Sequence, residues 1–154
     1  PHEQVSLLEL AQEAARSLTA QAAAQAVHIS VTGTAGTVFG VRRLLYEIAR
    51  NLCENAVKYN VPGGSVTVEV AETDRDVTLL VRDTGIGIPE GDQSRVFERF
   101  YRVDKSHSRA IGGTGLGLSI VKHAVAYHHG TLRLESQPGK GTAITVTLPK
   151  EPAE

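Results

Sequence analysis

The chain has 154 residues, of which 41% are hydrophobic and 21% are charged, and its formal net charge is -1. This composition predicts one globular domain spanning residues 1–154, and the near-zero charge gives no electrostatic basis for binding nucleic acid or an anionic membrane surface. No apolar run approaches the roughly 20 residues that span a bilayer, so we expect no membrane insertion of this segment.

The N-terminal half is predicted to contain two helices separated by a strand. Ser6 opens a capping box, and the pattern after it predicts a helix to about Ala26. The alternating β-branched residues from Val27 to Thr32 predict a strand. A long amphipathic helix is predicted from about Val38 to Tyr59, ended by Asn60 and the Pro-Gly-Gly sequence that follows. Cys53, the one cysteine, lies in this helix and is predicted to be a core residue of a protein in the reducing cytosol.

The C-terminal half is predicted to supply most of the sheet. A short amphipathic segment is expected at Ser94 to Tyr101, and a glycine-rich stretch leads into a helix that ends near His129. The tail from Lys150 onward is expected to be frayed. The predicted strands are Ser65–Ala71, Val77–Arg82, Thr131–Ser136 and Ala143–Leu148. Helices and mostly antiparallel strands in this order predict an α+β domain, a two-layer sandwich with its core in about residues 6–148.

One face of the long helix carries side chains suited to a metal and phosphates. At 3.6 residues per turn, Glu47, Asn51, Asn55 and Lys58 fall within one narrow arc, opposite an apolar face. A neutral Asn oxygen can bind Mg²⁺ alongside waters and phosphate oxygens, and a lysine can neutralise a phosphate. The alternative is an ordinary solvated face. Asn is a poor residue for a helix interior, which favours the functional interpretation.

Asp83 ends an apolar strand and is followed by two glycines, Gly85 and Gly87. A carboxylate at the mouth of a sheet can accept a hydrogen bond from the exocyclic amine of adenine, whereas guanine offers a carbonyl oxygen at that position. The glycines allow the backbone to approach a flat ring closely. The alternative, a plain Asp-Gly turn, would be favoured if this segment stood alone.

The glycines at 113, 115 and 117 free successive amides to face a phosphate chain, and the helix that begins there adds its positive N-terminal end. The sequence lacks the Gly-Lys-Ser/Thr of the Walker pattern. Upstream, Arg102 and Lys105 are candidates to reach the outer phosphates. The polar stretch of about residues 91–113 has the composition of a mobile lid, with an exposed basic loop as the alternative.

Together these blocks resemble the catalytic, ATP-binding domain of bacterial sensor histidine kinases, within the superfamily shared with gyrase-type ATPases and Hsp90 chaperones. The resemblance covers the chain from about Ser6 to Leu148, and the stretch from Phe97 to Ile120 is especially similar to the large subfamily that includes phosphate-sensing kinases. By this likeness Glu47–Tyr59 is the N box, Asp83–Ile88 the G1 box, Phe97–Arg102 the F box and Gly113–Leu118 the G2 box.

The resemblance implies a Bergerat-type fold: a mixed, mostly antiparallel sheet, about three helices on one face and an ATP lid. It implies ATP and Mg²⁺ as cofactors, with Asn55 on the metal and Asp83 on the adenine amine. Asn51, Asn55 and Lys58 would be the catalytic residues. The nucleotide would contact Asn51, Asn55, Lys58, Tyr59, Asp83, Gly85, Gly87, Ile88, Arg102, Lys105, Gly113, Thr114, Gly115, Leu116, Gly117 and Leu118.

The resemblance also implies partners. The γ-phosphate would pass to a histidine on a dimerisation domain, of the same or a partner subunit, that lies upstream in the parent protein, and then to a response regulator. The domain is expected to be cytoplasmic, in a parent that is an inner-membrane sensor. His2 has no helix before it and no Thr-Pro after it, so we do not expect it to be the acceptor. The other histidines match no common metal site and are interpreted as surface or packing residues.

Three alternatives remain open. ATP hydrolases of this fold carry a Glu one turn before the metal-binding Asn, where this chain has Asn51, which cannot take a proton. Related serine kinases that act on anti-sigma antagonists lack the full Phe-Glu-Arg-Phe-Tyr-Arg block that is present here. A regulatory module that binds nucleotide without turnover would keep the same ligand residues, so intact motifs alone do not separate it from a kinase.

Overall fold

The computed structural model describes residues 1–98 and 117–151. Within these residues, seven strands, four α-helices and one 3₁₀ helix alternate along the chain. Their order is β1 (Glu3–Ser6), α1 (Leu7–Ser17), α2 (Thr19–Ala24), β2 (His28–Gly33), β3 (Thr37–Gly40), α3 (Arg42–Lys58), β4 (Ser65–Glu72), β5 (Asp76–Asp83), the 3₁₀ helix Glu90–Arg95, α4 (Gly117–Tyr127), β6 (Thr131–Gln137) and β7 (Gly141–Pro149).

In the described part of the chain, the main sheet has five strands in the order β2-β4-β5-β7-β6. Among the strands within residues 1–98 and 117–151, only the β2–β4 pair of this sheet is parallel and the three other pairs are antiparallel, which confirms the predicted mixed, mostly antiparallel sheet. The pairing register aligns one row of apolar side chains across all five strands, formed by Val31, Val68, Val81, Ile144 and Leu134. Because side chains alternate along a strand, such rows make one face of the sheet apolar.

The helices cover this apolar face as a second layer. Helix α3 packs against α1 on one side and α4 on the other, and it contacts β4 and β5 beneath it. Its inward side is buried through Leu45, Ile48, Leu52, Cys53 and Ala56. Burial of each large apolar side chain contributes about 1.5–3 kcal/mol, so the sheet and α3 form a stable platform for the outward face of the helix. The predicted two-layer sandwich is confirmed.

The predicted helix from Ser6 to Ala26 is two helices, α1 and α2, separated at Leu18. Ser6 does cap α1, since its Oγ accepts from the Glu9 amide at 3.3 Å. At the break, the Ser17 hydroxyl donates to Ala14 O and the Thr19 hydroxyl to Arg16 O. These hydroxyls compete with the backbone for the carbonyl groups that would continue the helix.

The prediction that the long helix begins at Val38 is wrong, because Thr37–Gly40 is strand β3, and α3 begins at Arg42. Strand β3 pairs with β1 in a separate two-stranded sheet that places Val5 opposite Val38, both buried. A Cβ atom at Gly40 would lie 2.6 Å from the ring of His128. Contacts with residues distant in the chain, rather than the local sequence pattern, therefore determine that Thr37–Gly40 forms a strand.

Two expectations for the C-terminal half also need correction. Lys150 is not frayed: its Nζ lies 2.9 Å from Glu72 Oε1, its carbonyl accepts from the Phe39 amide and its own amide donates to Arg75 O. The segment predicted from Ser94 instead begins earlier, as the 3₁₀ helix Glu90–Arg95 that follows Pro89, and residues 99–101 lie outside the described part.

No helix within residues 1–98 or 117–151 is long and apolar enough to cross a bilayer.

Candidate nucleotide-binding site

The polar face of α3 lies opposite its buried face, as the helical spacing predicts. Glu47, Asn51, Asn55 and Lys58 are all half-buried, so each is sheltered yet accessible from one side. The Asn51 amide nitrogen donates to Glu47 O at 2.8 Å, one turn back along the helix. This hydrogen bond fixes which end of the Asn51 amide faces away from the helix, namely the oxygen Oδ1.

The first turn of α4 lies against Asn51. A Cβ atom at Gly117 would be 3.1 Å from Asn51 Oδ1, so glycine permits the close approach of the two helices. Leu118, the next residue, packs partly buried against the core. The structure therefore brings together the polar face of α3 and the end of the glycine-rich block, which are more than fifty residues apart in the chain.

Three ion pairs engage charged residues on or beside this face. Glu54 lies 3.0 Å from Arg50 and 3.8 Å from Lys58, both at i,i+4 spacing on α3. Glu47 lies 3.2 Å from Arg43. Each of these two carboxylates is thus paired with at least one cation. Any phosphate that approaches Lys58 must compete with Glu54 for its ammonium group.

Asp83 lies at the end of β5 with its carboxylate half-buried. Its Oδ1 accepts from the Gly85 amide at 2.8 Å and from the Thr142 amide at 3.1 Å. Within residues 1–98 and 117–151, both hydrogen bonds to this carboxylate end on Oδ1, which leaves Oδ2 to accept from a ligand. Burial raises the pKa of Asp83 from 3.8 to about 6, although the two amides act in the opposite direction. Near neutral pH the group is therefore mainly ionised and can accept a hydrogen bond.

Residues 83–88, here called the Asp83 loop, lie between the end of α3 and the β6–β7 turn. The Ile86 amide donates to Tyr59 O at 3.0 Å, and a Cβ at Gly85 would be 2.4 Å from the same oxygen. On the other side, a Cβ at Gly87, whose φ is +75°, would be 2.1 Å from Gln137 O. Only glycine fits at these two positions, because a side chain would collide with fixed backbone.

Sequence reasoning missed the contribution of β6 and β7 to this site. The Thr142 amide binds Asp83 from 59 residues away. Gly141, with φ of +109°, makes that possible, since a Cβ there would lie 2.1 Å from Asp83 O. Ser136 accepts from the Ile88 amide at 2.8 Å. The Pro-Gly-Lys-Gly sequence gave a signal only for a hairpin turn, and nothing local indicated that the turn contacts Asp83.

Several predicted ligand residues lie outside the part of the chain that the structure describes, namely Arg102, Lys105, Gly113, Thr114, Gly115 and Leu116. The structure places Asn51 beside Gly117, and it places Tyr59 beside the Asp83 loop. In the described residues no three His, Cys, Asp or Glu side chains are grouped to hold a metal ion. Asn55 can still offer an amide oxygen to Mg²⁺, which commonly takes one or two protein ligands and completes its shell with phosphates and water.

Comparison with known proteins gives a consistent result. Residues 40–152 match the family of histidine kinase-, DNA gyrase B-, and HSP90-like ATPases. The sensor-like histidine kinase SenX3 of Mycolicibacterium smegmatis is 47% identical over 133 residues, which are 84% of this chain and 35% of SenX3. The solved structure of the mycobacterial sensor histidine kinase MprB is similar with a TM-score of 0.84 and 34% identity, covering 99% of this chain and 100% of that one.

Full-length ShkA, solved in complex with AMPPNP, is similar with a TM-score of 0.84 and 26% identity. The likeness covers 99% of this chain and 32% of ShkA. The chain thus spans about a third of the length of SenX3 and of ShkA.

Proposed function

This chain belongs to the family of histidine kinase-, DNA gyrase B-, and HSP90-like ATPases, among the sensor histidine kinases, and we propose that it binds Mg-ATP and transfers the γ-phosphate to a histidine on a separate domain. One observation carries the proposal. Two separated segments meet the C-terminal half of α3 and the residue that follows it, with Gly117 against Asn51 and the Asp83 loop against Tyr59. This convergence supports a cleft with a phosphate end and a base end.

The base end is proposed to select adenine. Asp83 Oδ2 accepts a hydrogen bond from the exocyclic amine, while Oδ1 stays bound to the amides of Gly85 and Thr142. A carboxylate held by two backbone amides cannot rotate freely, so its free oxygen has a defined direction. Guanine would place a carbonyl oxygen against it, and the resulting repulsion supports discrimination between ATP and GTP.

The phosphate end is proposed to lie along α3. Asn55 would hold Mg²⁺, which neutralises charge on the β- and γ-phosphates when it is bound. Lys58 turns from Glu54 toward a phosphate, because a phosphate carries more charge than one carboxylate. Arg102, Lys105 and the amides of residues 113–117 are proposed to hold the rest of the triphosphate. The AMPPNP bound to ShkA, an ATP analogue, supports the same class of ligand here.

The site is proposed to favour transfer over hydrolysis. Asn51 stands one turn before Asn55, donates its amide nitrogen to Glu47 O and cannot act as a base. Glu47 and Glu54 are engaged by cations. The nucleophile is proposed to be an imidazole nitrogen of a phosphoacceptor domain, which forms a bond to the γ-phosphorus as the bond to the bridging oxygen breaks and ADP leaves. Positioning and charge neutralisation carry such a reaction.

We also propose the wider setting. The acceptor histidine belongs to the same or a partner subunit of the parent protein, and the phosphoryl group then passes to an aspartate of a response regulator. The domain works on the cytoplasmic side, where ATP is available, and the parent is a membrane-bound sensor. No nucleic acid enters this scheme, in keeping with the net charge of -1.

The test is to incubate the parent protein, including its phosphoacceptor domain, with γ-labelled ATP. We expect label on the protein that is lost in acid and kept in base, as a phosphohistidine behaves, and no label in Asn55→Asp. Release of free phosphate without labelled protein would support a hydrolase and overturn the proposal. Nucleotide binding with neither product would identify a regulatory module.

A further inference from the structure

A glutamine that follows the Asp83 loop makes two hydrogen bonds with one nitrogen. Gln93 lies in the 3₁₀ helix Glu90–Arg95 and is half-buried. Its Nε2 donates to Ile88 O at 2.9 Å and to Ser136 O at 3.0 Å. Both protons of the amide nitrogen are thereby used, and a side chain without them would leave two carbonyl groups without these partners.

Ser136 completes the same cluster from strand β6. Its Oγ accepts from the Ile88 amide at 2.8 Å, lies 3.0 Å from Gly141 O and lies 2.8 Å from Thr142 Oγ1. One arrangement satisfies every group: the serine donates to Gly141 O and accepts from both the Ile88 amide and the Thr142 hydroxyl. Ile88 is therefore held at its carbonyl by Gln93 and at its amide by Ser136.

This cluster leads directly to the carboxylate that faces the base. The hydroxyl of Thr142 contacts Ser136, and the amide of Thr142 donates to Asp83 Oδ1. A second backbone contact, from the Gly139 amide to Ile86 O at 2.7 Å, joins the same turn to the middle of the Asp83 loop. Both ends of the loop are consequently tied to the β6–β7 hairpin.

We propose that Gln93 and Ser136 are positioning residues for the nucleotide base. They hold the Asp83 loop against the β6–β7 hairpin, and so fix the direction of Asp83 Oδ2 without contacting the nucleotide. The proposal rests on the proposed function, because it assumes that the base lies at Asp83. If the Asp83 loop is already ordered before the nucleotide binds, binding does not pay the entropic cost of ordering it. Gln93 and Ser136 should therefore affect the affinity for nucleotide more than the rate of phosphoryl transfer.

The test compares Gln93→Met, which keeps the chain length and removes both N–H groups, with Gln12→Met, an exposed position in α1. For Gln93→Met we expect the Kd for Mg-ATP, measured by calorimetry, to rise about tenfold. In the parent protein kcat for histidine phosphorylation at saturating ATP should stay within about twofold, so that the effect falls on KM. The Ile88 amide should exchange with solvent faster in the nucleotide-free chain. Gln12→Met should match the wild type throughout.

Ser136 provides the second arm. Ser136→Ala should raise Kd to a similar extent, and Ser136→Thr, which keeps the hydroxyl, should restore affinity to within about threefold of the wild type. If Gln93→Met binds Mg-ATP as tightly as the wild type, or loses kcat with an unchanged Kd, the positioning role is overturned and the proposed function stands. If the wild-type chain itself binds no Mg-ATP, the proposed function fails, and this inference fails with it.

Discussion

Replacing Asp83 with asparagine should stabilise the nucleotide-free chain while it weakens nucleotide binding. The asparagine oxygen can still accept from the amides of Gly85 and Thr142, so the hydrogen bonds of the folded state survive. What disappears is the charge of a half-buried carboxylate. Burial raises the pKa of that carboxylate to about 6, which shows that the ionised form is less favoured in the folded chain than in water.

The magnitude follows from the two pKa values. A group whose pKa is 3.8 in the unfolded chain and about 6 in the folded one reduces stability near neutral pH by about 3 kcal/mol at most. Partial contact with solvent reduces this to about 1–2 kcal/mol. Because the folded pKa is the higher one, the folded state holds the proton more tightly, and the contribution of Asp83 to wild-type stability is lost as pH rises from about 4 to 6. Above that window the reduction in unfolding free energy caused by the ionised Asp83 no longer changes with pH.

Urea unfolding of the nucleotide-free proteins at several pH values tests this. Asp83→Asn should exceed the wild type in unfolding free energy by about 1–2 kcal/mol near neutral pH, and the difference should vanish near pH 4. The comparison uses the difference between the two proteins, so other titrating groups cancel. Asp74→Asn, in the exposed β4–β5 turn, is the matched control and should show no such gain.

Binding should change in the opposite direction. In Asp83→Asn the side-chain amide nitrogen would take the place of Oδ2 and oppose the adenine amine, donor against donor, so affinity for Mg-ATP should fall about 10–100-fold. If Asp83→Asn is less stable than the wild type near neutral pH, and the difference persists in acid, burial of the ionised Asp83 carboxylate does not reduce stability as we expect. Unchanged affinity would refute the placement of adenine at Asp83.

Three further predictions concern other parts of the chain. Asn55→Asp adds a charge beside the phosphates and metal, so Mg-ATP should bind about tenfold or more weakly while adenosine, which has no phosphate, binds as before; equal losses for both ligands would contradict the assignment. His128 is buried, with Nδ1 against Ala124 O and Nε2 accepting from the Val41 amide, and burial lowers its pKa. The pKa of His128 is lower in the folded chain than in the unfolded one, so the contribution of this residue to stability should be lost as pH drops below about 6.5. In the Asp83→Asn background, His128→Phe should abolish this loss of unfolding free energy, as measured by urea unfolding. If the loss persists in the double variant, His128 does not cause it. Burial raises the pKa of the Cys53 thiol to about 12, so a thiol reagent should modify it only at the rate of unfolding, and rapid labelling in native buffer would contradict its burial.

The parts of the fold that follow from local pattern could be predicted from sequence. The two faces of α3 arise from the spacing of Asn51, Asn55 and Lys58 against Leu52 and Ala56, and this spacing is fixed by helix geometry alone. Strands β4 to β7 have alternating or β-branched sequences bounded by turns, and the structure confirms them to within about two residues at each end.

The parts that depend on contacts between distant segments could not be predicted. Nothing in the sequence around Thr37 indicates a partner strand at the N-terminus, and the pairing of Val5 with Val38 is set only when both are buried. Likewise the hydrogen bond from Thr142 to Asp83 joins residues 59 positions apart. The ion pair between Glu54 and Lys58 is local, but it became evident only in the folded helix, and the competition with a phosphate is a proposal. The site residues from Arg102 to Leu116 stay predictions.

The most direct test of the central claim is a crystal structure of this chain with Mg-AMPPNP. We expect the exocyclic amine of adenine within about 3 Å of Asp83 Oδ2, the metal on the Asn55 side-chain oxygen, and Lys58 turned from Glu54 toward a phosphate. Adenine bound away from the Asp83 loop, or a metal held without Asn55, would contradict this expectation.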